Sequence, residues 1–407
     1  MSRTRPPAQW ALALALALAS AALAEPPAPG PRGPLGPDVP LSDAGKKALA
    51  ARVTVEARTA EAVQAACRRA AKKGAATVFL PAGRYVFDKQ VGVPGGLTLL
   101  GEGSKTHCQA GGNSVHLFGV EGDGVRFTRL KLQGADTTPG TANNTFGIVV
   151  SGRQSVRIDH CELLGFSYAT NFCDQATAQV DHCVIHQNLR DGLGYGVAIY
   201  SGAYVLVCDN EFSQNRHSLA SNGALDWSSP KRAGKYLHKP GVRKTHWEFL
   251  HNRVGSNDRS PNELCAVDAH PGMDGTFVVE RNVFEGLRHG VGIRDGSGLI
   301  RLNVFRGLRT VTNFRGLVGI SVSYGKHNNV PVEGCMPHNI EMADNAFTMA
   351  PGVEYKRHSL GKAENITIDG KLAPETKAPR PAPAIPLLQQ MGEDGVLRWR
   401  EGGRRPG

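Results

Sequence analysis

The fold is read most directly from residues 265–305, CAVDAHPGMDGTFVVERNVFEGLRHGVGIRDGSGLIRLNVF. Within this stretch NVFEGLR, from Asn282 to Arg288, returns as NVFRGLR, from Asn303 to Arg309, 21 residues later. A phrase repeated at that distance marks a chain that closes one structural circuit per repeat and stacks the circuits.

The frame extends in both directions. With Cys161, Cys183, Asn210, Asn252, Asn282, Asn303 and Asn345 set as one position, the residue two later is Leu163, Ile185, Phe212, Val254, Phe284, Phe305 or Phe347. Three residues earlier stand Ile158, Val180, Val207, Phe249, Val279, Ile300 and Met342. Apolar residues recurring at this parity describe strands that bury one face. The fixed Asn or Cys marks a turn whose side chain can bond the backbone of the next circuit. A second family of short strands precedes these turns, GIVV from Gly147, GVAI from Gly196 and GVGI from Gly290. The interval from Asn210 to Asn252 is long enough to hold a basic inserted loop, residues 222–245, with Trp227, Lys231, Arg232, Lys235, Tyr236, Lys239, Arg243 and Lys244.

Ahead of the repeats, residues 1–24 read as a signal peptide: Arg3 and Arg5, then an apolar run from Ala11 to Ala24 that is too short to span a bilayer. Residues 25–45 are rich in Pro and Gly and read as an extended linker. Residues 58–74 place Ala, Val and Cys at helical spacing between a Thr59 cap and Gly74, which predicts a helix covering the open end of the stack. The repeat domain spans 46–370, and 371–407, rich in Pro and Arg, reads as disordered. All eight cysteines follow the signal, which permits disulfides in an exported chain, and Cys161 and Cys183 fall inward on successive circuits at disulfide range. Cleavage removes two arginines, leaving 45 basic against 36 acidic residues, or +9. That balance suits an acidic polysaccharide better than nucleic acid in an exported protein.

Residues 76–106, ATVFLPAGRYVFDKQVGVPGGLTLLGEGSKT, carry short β-rich runs divided by glycine turns. With the preceding helix, they resemble the right-handed parallel β-helix superfamily of pectate lyases, polygalacturonases and alginate-modifying enzymes, over roughly residues 50–370. The resemblance implies an all-β right-handed parallel β-helix solenoid with an N-terminal capping α-helix, acting on carbohydrate. It leaves calcium open as a cofactor, because many β-helix lyases use it, although the sequence shows no dense carboxylate cluster.

Asp268 and His270 lie two apart on a predicted strand and so share its outward face. A carboxylate beside an imidazole orients the ring and poises it for proton transfer. Arg216-His217 opens a strand-like run one circuit earlier, and Arg294 alternates with Val291 and Ile293 one circuit later. His217 shares parity with Leu219, which also allows a partly buried histidine, and Arg294 beside Asp295 also allows a turn ion pair. Asp268-Ala269-His270-Pro271 resembles the Asp-Pro-His-Glu motif of mannuronan C5-epimerases, which implies His270 as the proton-transfer residue and Asp268 as its partner. Ala269 and Pro271 depart from that motif, and Cys265 stands where it has a tyrosine. The repeated Asp-His-Cys at 159–161 and 181–183 has metal-ligand chemistry, but alternation sends each His away from its Cys, so no metal site is assigned there.

These readings combine into an exported, secreted or periplasmic, monomeric protein with no membrane insertion and no nucleic-acid partner. The expected activity is that of a polysaccharide lyase, or a C5-epimerase, on a uronate polymer. Its catalytic set is His270, Asp268, His217, Arg216 and Arg294, and its substrate-binding set is Lys231, Arg232, Lys235, Tyr236 and Trp227. The alternatives are a noncatalytic carbohydrate-binding or surface-structural protein and a glycoside hydrolase.

Overall fold

The computed structural model describes residues 28–138, 142–226, 236–255, 265–287, 289–307, 317–326, 330–348 and 355–373, with isolated positions beyond. Among them the strands form one sheet of 21, one of 10 and one of two, and nearly every pairing in the two large sheets is parallel between neighbouring circuits. The first sheet contains two strand ladders. In one, Thr177–Asp181, Tyr204–Cys208, His246–Leu250, Thr276–Glu280 and Gly296–Arg301 succeed one another. In the other, Val184–His186, Glu211–Ser213, Arg253–Val254, Val283–Glu285 and Val304–Arg306 do so. The ten-stranded sheet carries the third ladder, with Tyr168–Cys173, Tyr195–Ile199, His217–Ser221, Val267–Ala269 and His289–Ile293 in register.

The turn position read from the sequence is the internal spine. Asn210, Asn252, Asn282, Asn303 and Asn345 are linked in series, each backbone N–H donating to the next Asn Oδ1 at 2.8–3.1 Å. The Nδ2 groups of Asn252, Asn282 and Asn303 bond carbonyls of the preceding circuit. The bend depends on the residue just before it, which is left-handed at His182, Asp209, His251, Arg281, Leu302 and Asp344, with φ of 54–57°. Behind the spine, Phe284 stacks on Phe305 and Phe305 on Phe347, at 4.8 and 4.9 Å between ring centroids. Each such pair contributes about 0.5–1.5 kcal/mol beyond simple burial.

The capping helix is Ala60–Lys73, with the Thr59 side chain accepting from Ala62 N–H and Gly74 left-handed at its end. Its face of Val63, Ala66, Cys67 and Ala70 covers the first circuit. Three expectations are corrected. Residues 30–38 are not a free linker: Gly30 N–H donates to the Arg281 carbonyl, Arg32 donates to both carboxylate oxygens of Asp209, and Asp38 accepts from Ser104, so this segment runs along the stack across several circuits. Leu388 and Met391 of the expected disordered tail pack on the same stack, bonding Glu248 and Gln179. All eight cysteines are free thiols, and Cys161 and Cys183 donate to backbone carbonyls instead of bridging. The expected signal peptide lies outside the described residues, among which no helix is long and apolar enough to cross a membrane.

Candidate active site

The outer face of the ten-stranded sheet is built from rows in which one register position repeats on successive circuits. One row runs Asn171, Ala198, Ala220, Asp268, Gly292 and Ser321. Asp268 therefore stands between an alanine and a glycine, and those small neighbours leave room for longer side chains to converge on it. A Cβ at Gly292 would stand 2.4 Å from Cys265 Sγ, so the site needs that glycine.

Arg294, two residues past the row on the next circuit, bonds both oxygens of Asp268, Nη2 to Oδ2 at 2.5 Å and Nε to Oδ1 at 3.1 Å. His270 Nε2 lies 3.1 Å from Oδ2. A carboxylate can only accept, so His270 donates through Nε2 and, when neutral, turns the lone pair of Nδ1 elsewhere. Burial alone would raise the Asp268 carboxyl, but His270 and Arg294 beside it hold it well below the usual carboxylate range. Asp268 is thus a fixed anion, 1% exposed, with a cation and an imidazole aimed at it.

His217 lies beneath them, fully buried. Its Nδ1 donates to the Cys265 carbonyl, and Nε2, which has no hydrogen-bond partner, lies 3.7 Å from Asp268 Oδ2. Burial pushes this imidazole down to about 3, against the opposite pull of Asp268, so it is neutral near pH 7. Arg216 donates through Nη1 to Tyr195 Oη at 3.1 Å and to the Gly192 carbonyl at 3.2 Å. Tyr195 packs within 5.2 Å of the His217 ring and 6.0 Å of the His270 ring. Burial pushes its hydroxyl up to about 12, with Arg216 pulling the other way.

These groups open onto a cleft of about 660 Å³, whose walls include Tyr168, Tyr195, Arg216, His270, Arg294 and Lys326. Asp174 is the one carboxylic acid among its described lining residues. The structure thus brings together all five residues of the predicted catalytic set. It separates Tyr236, which is buried with Leu225, Val332 and Cys335 because the inserted segment folds back on a later circuit. Trp227, Lys231, Arg232 and Lys235 lie outside the described residues. Arg294 makes no turn pair with Asp295, whose carboxylate accepts the backbone N–H groups of Gly272, Asp274, Gly296 and Met336. Among the described cations of the insertion, Arg243 is spent on the carbonyls of Gly202, Gln175 and Ala176 and on the ring of Tyr204.

Sequence reasoning missed Tyr168, Tyr195 and Lys326. The signal for Tyr195 was present, since it immediately precedes the Gly196 that opens a recognised strand, but its side chain meets the site only through the register. His217, Asp268 and His270 place donor atoms within 4.8 Å of one another. Two imidazoles and one carboxylate are not a calcium donor set, which needs six to eight oxygens. Arg294 would also oppose any divalent ion there, having already taken both carboxylate oxygens.

No family model matches the chain, and no curated protein matches it. Solved structures do. The catalytic domain of a GH87 alpha-1,3-glucanase in complex with tetrasaccharides is similar over 83% of this chain and 59% of its own, at 12% identity and a TM-score of 0.52. DFA-IIIase from Arthrobacter chlorophenolicus A6 without its lid is similar over 81% and 96%, at 16% identity and 0.51. The chain is a right-handed parallel β-helix. An alginate lyase from Paenibacillus sp. str. FPU-7 is also similar, over 77% of this chain and 99% of its own, at 13% identity and 0.47. At these identities the likeness extends to the fold, and the β-helix described here spans about 59% of the glucanase domain. What it does with its cleft is a matter for its own residues.

Proposed function

We propose that this β-helix is an exported carbohydrate-active enzyme, a polysaccharide lyase that acts on a uronate polymer by proton abstraction. The observation that carries this reading is the convergence of Arg294 and His270 on buried Asp268, on the wall of a cleft where, among the described lining residues, cations outnumber the one carboxylate. Asp268 holds Nε2–H of His270, which leaves Nδ1 of the neutral ring as the base. Arg294 is committed to Asp268, so Arg216 and Lys326 are the cations available to a uronate carboxylate.

In the elimination, His270 Nδ1 takes the proton from the carbon beside the carboxylate. The electron pair of that C–H bond forms a C=C bond as the glycosidic C–O bond at the next carbon breaks. The leaving oxygen needs a proton, and Tyr195 keeps one near pH 7. Returning a proton to the carbon from the opposite face, without C–O cleavage, would instead give the epimerase outcome. A glycoside hydrolase needs two carboxyl groups facing one bond. Among the described residues, this cleft offers Asp174 on its lining and an Asp268 already neutralised by Arg294.

The test is ultraviolet absorbance of unsaturated uronate during incubation with pectate, alginate and glycosaminoglycans, for wild type and His270→Ala. Absorbance that rises only in wild type supports the reading. A flat trace in wild type on every polymer rejects lyase activity, and reducing-end release without unsaturation would identify hydrolysis.

A further inference from the structure

A second row on the ten-stranded sheet lies at the strand starts. Phe146, Tyr168, Tyr195 and His217 occupy the same register position on successive circuits, and His116 extends it, two residues before the Phe118 that pairs with Ile148. The row is continuous in space. His116 stacks on Phe146 at 4.4 Å, Phe146 meets Tyr168 at 4.6 Å, Tyr168 meets Tyr195 at 5.3 Å, and Tyr195 meets His217 at 5.2 Å. His116, Phe146 and Tyr168 are each partly exposed. Tyr168 and Tyr195, with Tyr200, pack over Ala198 and Ala220, so the small residues of the neighbouring row form a floor beneath an aromatic platform.

The row is one-sided. Beyond His217, towards the C-terminal end, the same position carries Cys265, His289, Val318 and then Lys356. Next to the platform, Asn171 lines the cleft, and its Oδ1 has no hydrogen-bond partner.

We propose that His116, Phe146 and Tyr168 form a sugar-binding track on the N-terminal side of the reaction centre, so that the polysaccharide lies parallel to the solenoid axis with its longer bound arm over this row. The proposal rests on the carbohydrate reading above and adds the direction and extent of binding. Circuits stack ~4.8 Å apart, so five of them span ~19 Å from His116 to His217. That span accommodates several linked pyranose rings, whose C–H faces pack on aromatic rings and whose hydroxyls suit Asn171. Arg216 and Lys326 supply charge nearer the chemistry, so the track recognises ring shape, while those cations recognise the carboxylate.

The test is calorimetric binding of oligogalacturonates and oligoalginates of increasing length to His270→Ala, alone and combined with Tyr168→Ala or Phe146→Ala. Circular dichroism melting checks each fold. The expected result is affinity that rises with chain length in His270→Ala and falls about 5- to 10-fold on adding either aromatic substitution, with the shortest ligands unaffected. In the otherwise wild-type enzyme, Phe146→Ala, which lies outside the cleft lining, should raise KM on polymer and leave kcat within about twofold. Length-dependent binding that both aromatic variants retain overturns the track and leaves the carbohydrate reading standing. If no oligosaccharide binds either wild type or His270→Ala, both fail together.

Discussion

Acidification probes the buried imidazole of His217. Burial lowers its pKa from 6.5 to about 3. Each unit corresponds to ~1.4 kcal/mol, so the gap represents up to ~5 kcal/mol at low pH. Between those two values the unfolded chain binds a proton that the folded chain refuses. Stability therefore falls as pH drops from about 6.5 towards 3, at a slope approaching ~1.4 kcal/mol per unit from this group. Asp268 opposes the shift, while Arg216 and His270 reinforce it. His251, lowered to about 4 by burial, acts in the same sense, so the comparison must be with a variant that removes only His217. Denaturant unfolding of wild type and His217→Gln across this range should give a stability difference that changes by ~1.4 kcal/mol per pH unit. Histidine-labelled NMR should show the His217 ring unchanged until the solution is strongly acid. A His217 midpoint near 6.5, or identical pH slopes in both proteins, would refute the reasoning.

Other outcomes follow from the same structure. Arg294→Ala strands the Asp268 carboxylate and should cost ~3–5 kcal/mol, read as a lower denaturation midpoint, together with loss of turnover. Asn282→Ala removes the acceptor of Asn252 N–H and the donor to the Phe249 carbonyl, and a cost of ~2–4 kcal/mol should appear in thermal unfolding. Gly292→Ala should depress activity more than stability, because its Cβ meets Cys265 Sγ beside Asp268 rather than the inner core; equal activity at equal melting temperature would contradict this. Tyr195→Phe should lower kcat ~10²-fold or more if the hydroxyl is the acid, with KM nearly unchanged in steady-state assays.

The linear repeat carried the fold because its cause is local. A residue such as Asn282 must turn the chain and satisfy backbone groups of the neighbouring circuit, so the same side chain recurs wherever the turn does, and the apolar parity around it recurs with the strand. The Asp268-Ala269-His270 spacing was legible for the same reason: two residues apart on one strand share a face. What sequence could not supply was the register between circuits. Tyr195 lies 75 positions before His270, and only the parallel pairing of their strands through His217–Ser221 brings the two rings together. The state of His217 was equally hidden, because its charge is decided by burial beneath Asp268 rather than by its neighbours in the chain. The segment around Arg32 illustrates the reverse limit. Its Pro and Gly content excludes a helix or a core strand, yet the Asp209 carboxylate, 177 positions away, fixes it to the stack through a contact that no local pattern encodes. Sequence thus determined the period, the strand faces and the residue types of the candidate site; tertiary structure decided which circuits face one another, and with that which cations, rings and carboxylates share a cleft.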